Sequence, residues 1–110
     1  MTMRVDPGEL NERIEIRRQY QCMRNGFPVL VDETVFTVWA KVSRETGTEY
    51  VKHDTEERQE RIRVLVRSSA VNGISEDMQI VTAGNKAYDI DYIHEYYRSG
   101  YLEIIAYWRG

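Results

Sequence analysis

The side chains that could do metal chemistry are few and scattered along the chain. The two histidines, His53 and His94, each precede an acidic residue, and Cys22 is the only cysteine. A zinc site needs about four ligands at short, recognisable spacings, whereas these three residues lie more than thirty positions apart. The sequence therefore predicts surface histidines and no metal site.

Candidate nucleophiles and acid–base groups also lack partners at a useful spacing. Asp89 and Asp91 share one face of a predicted strand, and paired carboxylates can act as acid and base. The same pattern is typical of a solvated strand face, which is the interpretation that we favour. No base stands near Cys22, and Ser68 and Ser69 lack the context of a nucleophile elbow. The sequence predicts no catalytic residue, no cofactor and no enzyme activity, with a small hydrolase as the disfavoured alternative.

Length and composition predict one ordinary folded domain over residues 1–110. The chain is 42% hydrophobic and 30% charged, which argues against disorder. Its net charge is −3 and its pI is about 5.4, whereas a free-standing nucleic-acid binder normally shows a basic excess. A single cysteine favours a reducing compartment. No secretory signal and no run long enough to span a membrane is readable, so we expect a cytosolic protein.

Apolar and polar residues alternate along six stretches, with the period of a half-buried strand. In the fifth stretch, Tyr88, Ile90 and Tyr92 are predicted to face the core. Glycine turns at positions 84–85 and 99–100 predict hairpins between the last three strands. We predict an all-β domain, a six-stranded antiparallel barrel or sandwich, after a loose leader over residues 1–9. The stretches are RIEIRRQY, VFTVWAKV, RIRVLVR, EDMQIV, AYDIDYIHEYY and GYLEIIAYW.

The strand faces predicted to point away from the core are also rich in aromatic and aliphatic residues. Contiguous apolar patches mark protein interfaces, and Tyr and Trp are enriched there. The alternative is that the sheet closes on itself and a long loop covers these side chains. We predict an oligomer interface formed by Trp39, Ile93, Tyr97, Tyr101, Ile105 and Tyr107.

One long polar stretch, RETGTEYVKHDTEERQER, separates the second predicted strand from the third; we call it the central segment, residues 44–61. Connections beyond about 12–15 residues are uncommon unless they are functional or disordered. Asp54 could cap a short helix here, with Glu57 reaching back to it, but no apolar stripe would dock that helix. The charged residues of this predicted functional loop are Arg44, Glu45, Glu49, Lys52, Asp54, Glu56, Glu57, Arg58, Glu60 and Arg61.

The order of these features resembles that of the phage head–tail adaptor proteins, also called head-completion or stopper proteins. The resemblance covers the chain from Leu10 to about Ala106. It rests on LNERIEI, VWAKV, TGTE, IRVLVR, MQI and GNKAYDI, in that order. The family commonly has arginine within the Met-x-Ile strand, where this chain has Gln79, so a contact made by that arginine is not carried over.

The resemblance implies a structural connector of a tailed phage or prophage. The implied fold is a small barrel, often monomeric when free, that assembles as a ring, dodecameric by resemblance, below the portal or an adaptor ring. The central segment is implied to project toward the ring axis and close the DNA channel until a tail protein attaches. We expect its charges to pair with those of adjacent copies. The implied location is the virion, with assembly in the bacterial host cytoplasm.

Two alternatives stay open at the level of sequence. Another ring protein of the same particle, such as a tail terminator or tail completion protein, would share the ring and differ in its docking partner. A small OB-like nucleic-acid-binding barrel is the rival from another class. The low pI and the acids interleaved among the arginines count against that rival.

Overall fold

The computed structural model describes residues 7–46, 60–96 and 99–108, and most of this part of the chain is β-strand. The described residues also contain short 3-10 turns at Pro7–Glu9 and Ser68–Val71. Within the described residues, no helix is long and apolar enough to cross a membrane. The strands are β1 (Glu12–Arg24), β2 (Phe27–Thr46), β3 (Glu60–Arg67), β4 (Gln79–Val81), β5 (Ala87–Tyr96) and β6 (Tyr101–Trp108).

The six strands pair antiparallel in the order β1-β2-β3-β6-β5-β4, and β4 pairs again with β1. The sheet thereby closes on itself, so free strand edges remain only where a strand extends beyond its neighbour. The last three strands form the predicted meander, joined by the two glycine turns. The prediction of an all-β, six-stranded antiparallel domain is confirmed.

Alternate side chains of all six strands fill the inside of the closed sheet. Ile14 and Ile16 of β1, as predicted, point inward with Val64 of β3 and Ile104 of β6, and each is at most 1% exposed. Tyr88 is the largest fully buried side chain. Because this core comes from residues at every second position, the polar residues between them are left on the outside.

The chain before β1 is fixed to the sheet, although the sequence predicted a loose leader over residues 1–9. Residues 7–9 form a 3-10 turn. The Glu9 carboxylate lies 3.0 Å from the Lys41 ammonium group of β2, and the next residue, Leu10, is buried. The prediction is therefore wrong for residues 7–9, because an apolar anchor and an ion pair hold them; residues 1–6 lie outside the described part.

One extra residue in β5 reverses the facing of its second half. The register between β5 and β6 shifts by one residue after Ile90, which leaves Asp91 without a paired residue, as in a β-bulge. Beyond the bulge Tyr92 is 43% exposed, and Ile93 packs against the core opposite Ile104. The predictions that Tyr92 faces inward and Ile93 outward are wrong, because a shift of one residue exchanges the two faces of a strand.

β1 and β2 form a hairpin that extends well beyond the rest of the sheet. Asn25 and Gly26 make its turn with φ of 53° and 81°, the left-handed geometry of a two-residue type I′ turn. β4 pairs along β1 only as far as Arg17. Residues 18–33, which we call the arm, therefore form a two-stranded ribbon, and none of the described strands pairs beside it.

Candidate functional site

Both ends of the central segment belong to strands. β2 continues to Thr46 and β3 begins at Glu60, and these two residues pair with each other in the sheet. The predicted loop residues Arg44 and Glu45 thus lie in β2, and Glu60 and Arg61 lie in β3. The predicted loop boundaries are wrong at both ends, because charged strand ends show no apolar alternation. The remaining predicted loop residues, with the short helix from Asp54, lie outside the described part: Glu49, Lys52, Asp54, Glu56, Glu57 and Arg58.

The charges at these strand ends pair within their own chain. Arg44 donates two hydrogen bonds to Glu12 of β1, at 3.1 and 2.7 Å, and this contact raises the pKa of Arg44 above its usual value. The Glu45 carboxylate oxygens lie 3.9 Å from Nε of Arg61 and 3.9 Å from Nη2 of Arg63. The expectation that these charges wait for adjacent copies is therefore wrong for the described ones, since cross-strand neighbours already supply opposite charge.

Lys86 joins three strands close to the point where the central segment meets the sheet. Its ammonium group pairs with Glu60, the first residue of β3. The same group lies 3.7 Å from the centroid of the Trp108 indole at the end of β6, within cation–π range. Lys86 itself directly precedes β5. The start of β3 is thus held by a cation that also contacts the end of β6.

The predicted interface residues differ in how much they expose. Trp39 is 53% exposed, and the Arg13 guanidinium carbon lies 5.1 Å from its ring centroid. Tyr101 and Tyr107 are half-buried, and Tyr97 lies outside the described residues. Trp39 is therefore the most accessible described member of the predicted set, and its face is available to a partner.

Ile105 is fully buried at 0% exposure, so the prediction that it lies on an exposed face is wrong. Its position on β6 does point away from the core cluster, as the alternation predicts. In register it stands between Arg63 of β3 and Tyr92 of β5, whose side chains are far longer. The two longer side chains flank Ile105 on either side and limit its access to solvent. The prediction that Ile93 belongs to the interface is also wrong, because the bulge turns its side chain toward the core.

The candidate catalytic groups remain apart. His94 is exposed and meets the ring of Tyr96 edge-on, at 4.5 Å between centroids; His53 lies outside the described residues. Gln79 donates a 2.8 Å hydrogen bond to Asp89, a structural contact across β4 and β5. Within the described ranges, no three His, Cys, Asp or Glu side chains are grouped to hold a metal ion. Cys22 is half-buried on the arm.

Sequence reasoning missed the arm, which is the most apolar exposed part of the described structure. The Asn-Gly pair at positions 25–26 predicts a turn between the first two strands. The predicted strands stop short of it, at Tyr20 and Val35, because apolar residues between them occupy both faces. Five large apolar side chains of the arm are 37% to 71% exposed: Tyr20, Met23, Phe27, Val29 and Leu30.

The described residues thus form a small closed sheet that exposes large apolar side chains on the arm and at Trp39. The chain matches the model of the phage head completion protein family over residues 5–107. It belongs to that family. It is therefore a structural protein of the phage head and a component of the virion, in agreement with the resemblance seen in the sequence.

A solved structure shows the same fold. One chain in the structure described as the virion of a native gene transfer agent (GTA) particle superposes with a TM-score of 0.67. The alignment covers 91% of this chain and 94% of that chain, at 19% sequence identity. A comparison with curated proteins finds no match. At 19% sequence identity, this similarity shows that the two chains share a fold.

Proposed function

We propose that this protein is the head–tail connector, or stopper, of a tailed phage or prophage. In this proposal its copies form a ring, dodecameric by resemblance, below the portal or an adaptor ring. The ring closes the DNA channel after packaging and offers the surface to which the tail attaches. The observation that carries the proposal is the pairing of Thr46 with Glu60, which places the two ends of the connection over residues 47–59 side by side at the ends of β2 and β3.

The contacts at these strand ends support a gate. The pairs of Arg44 with Glu12 and of Lys86 with Glu60 hold the two strand ends in place. A segment with fixed ends can reach the same point of a channel in every copy of a ring. Four acidic and two basic residues give residues 47–59 a net charge of −2. A net-negative lining would limit adhesion of DNA phosphates during ejection, since phosphate attraction grows with the number of cations presented.

The ring itself requires contacts between unlike surfaces of neighbouring copies. Ring closure demands such heterologous contacts, because like-to-like contacts stop at a dimer. Trp39, Tyr101 and Tyr107, with Tyr97, remain the predicted interface residues. Of those that the structure describes, Trp39 has the largest exposed fraction, 53%, with the Arg13 guanidinium over its ring.

The test replaces residues 47–59 with a short Gly-Ser linker and follows DNA-filled heads. We expect the variant to bind heads as the wild-type protein does, while the heads lose DNA before tails attach. A second variant with the same thirteen residues in scrambled order controls for length and composition. Full DNA retention with the short linker would contradict the gate.

The same preparations test the connector assignment. Heads that lack the protein altogether should leak DNA and take no tails. Binding of the purified wild-type protein to tails but not to heads would favour a tail terminator or tail completion protein instead.

A further inference from the structure

The arm, residues 18–33, has an apolar face that no other part of its own sheet covers. Register pairs Tyr20 with Val31 and Cys22 with Val29, so these side chains share one face of the ribbon. Phe27 extends this face at the tip and is 71% exposed. The only charge pair on it, Arg18 with Glu33 at 2.7 Å, lies at the base. Arg24, opposite Phe27, places one positive charge at the tip of this face. Between that charge and the base, the face is apolar and suited to an apolar partner.

A partner would add stability to the arm. A two-stranded ribbon alone in water is marginally stable, and β4 stops beside Arg17. Seven paired residues on each strand give the arm a length of about 24 Å at about 3.4 Å per residue. A projection of this length from one subunit is long enough to lie across a neighbouring one.

A second exposed apolar surface lies on the wall of the closed sheet around Trp39. The indole is 53% exposed, and beside it is a shallow hollow lined by Leu10, Asn11 and Arg67. Trp39 pairs with Arg13 on the same two strands that continue into the arm. The arm cannot fold back onto this wall without breaking its own ladder. The two surfaces of one chain therefore cannot cover each other.

We propose that the arm of one copy lies on the wall around Trp39 of the next copy. One chain carries both surfaces, they are unlike, and they cannot meet within that chain, which is the arrangement that a head-to-tail contact between copies requires. Large exposed apolar side chains of the described residues occur on the arm and, outside it, at Trp39 and Tyr92. This inference rests on the proposed ring and names the contact that builds it.

Cys22 allows a direct test because it is the only cysteine and lies on the apolar face of the arm. Asn11→Cys places a second thiol in the hollow beside Trp39. His94→Cys is the matched control, exposed on β5, which is farthest from β2 in the strand order. Particles carrying each variant are treated with a short bismaleimide and separated under denaturing conditions.

We expect a ladder of dimers, trimers and higher multimers for Asn11→Cys and no ladder for His94→Cys. Dimers alone would overturn the proposal in favour of arm-to-arm pairing, since a like-to-like contact cannot extend. Cross-links from Cys22 to a different virion protein, or none at all, would also overturn it. Particles that contain no copy of the chain would instead contradict the proposed function.

A double-mutant cycle provides a second test. Phe27→Ser and Trp39→Ser should each weaken self-association at least tenfold and lower the melting temperature only slightly, because both side chains are largely exposed in the single chain. If the two residues touch across copies, the double variant should be weakened little more than either single one. Additive losses would contradict the contact.

Discussion

Ile105 provides a quantitative test of how the outer side of β6 is covered. Its side chain is 0% exposed, although it points away from the core cluster. Ile105→Ala removes three carbon atoms, which at about 0.8 kcal/mol each amounts to about 2.4 kcal/mol, and a residual cavity can raise the cost to about 5 kcal/mol. Because Arg63 and Tyr92 beside it are long and partly exposed, they can move into the space, so we expect about 2–3 kcal/mol.

The assay is urea unfolding of the free protein, followed by far-ultraviolet circular dichroism. The midpoint should fall with an unchanged m-value, and the melting temperature should fall by about 10–20 °C at about 4–8 °C per kcal/mol. Trp39→Ala is the control, because an exposed side chain should cost far less. A loss within about 0.5 kcal/mol for Ile105→Ala, the range of ordinary surface substitutions, would refute the burial and return Ile105 to the interface.

Three further measurements test other parts of the molecule. Gly26→Ala should cost about 1–2 kcal/mol in urea unfolding, because its φ of 81° is left-handed; no loss would contradict the type I′ turn. Lys86→Met should lower stability by about 1–2 kcal/mol and shift the fluorescence of Trp108, whose ring the ammonium group contacts; unchanged emission would count against that contact. Hydrogen bonds from Thr34 and Arg17 lower the pKa of Glu15. The ionised carboxylate therefore stabilises the native state above the usual value of 4.5, and this contribution is lost as the pH falls through the lowered pKa. Wild-type protein should lose more stability on acidification than Glu15→Gln, and parallel profiles would contradict the assignment.

The sequence predicted the six strands and most of the core because apolar and polar residues alternate wherever one face of a sheet is buried and the other faces solvent. It could not predict the bulge at Asp91. The stretch DIDYIHEYY has large apolar side chains at both parities, so Tyr92 and Ile93 are equally suited to either face. Only the register against β6 decides between them, and register depends on residues distant in sequence.

The arm and the ends of the central segment were missed for a related reason. Apolar and polar residues alternate only where one face of a strand is buried and the other is exposed to solvent. Residues 18–33 carry apolar side chains on both faces, and residues 44–46 and 60–61 carry mainly polar ones. Both are paired strands, but neither shows a period of two. The predicted loop therefore began too early, and the predicted first strand ended too soon.

Thr46 and Glu60 pair directly across β2 and β3. The sheet thus meets residues 47–59 at two adjacent points whose separation does not depend on how many residues lie between them. Doubling or halving such a connection changes its closure free energy by only about 0.6 kcal/mol. Insertions and deletions there should leave the fold intact, and in the proposed gate the length of this connection is what would adapt one subunit to channels of different width.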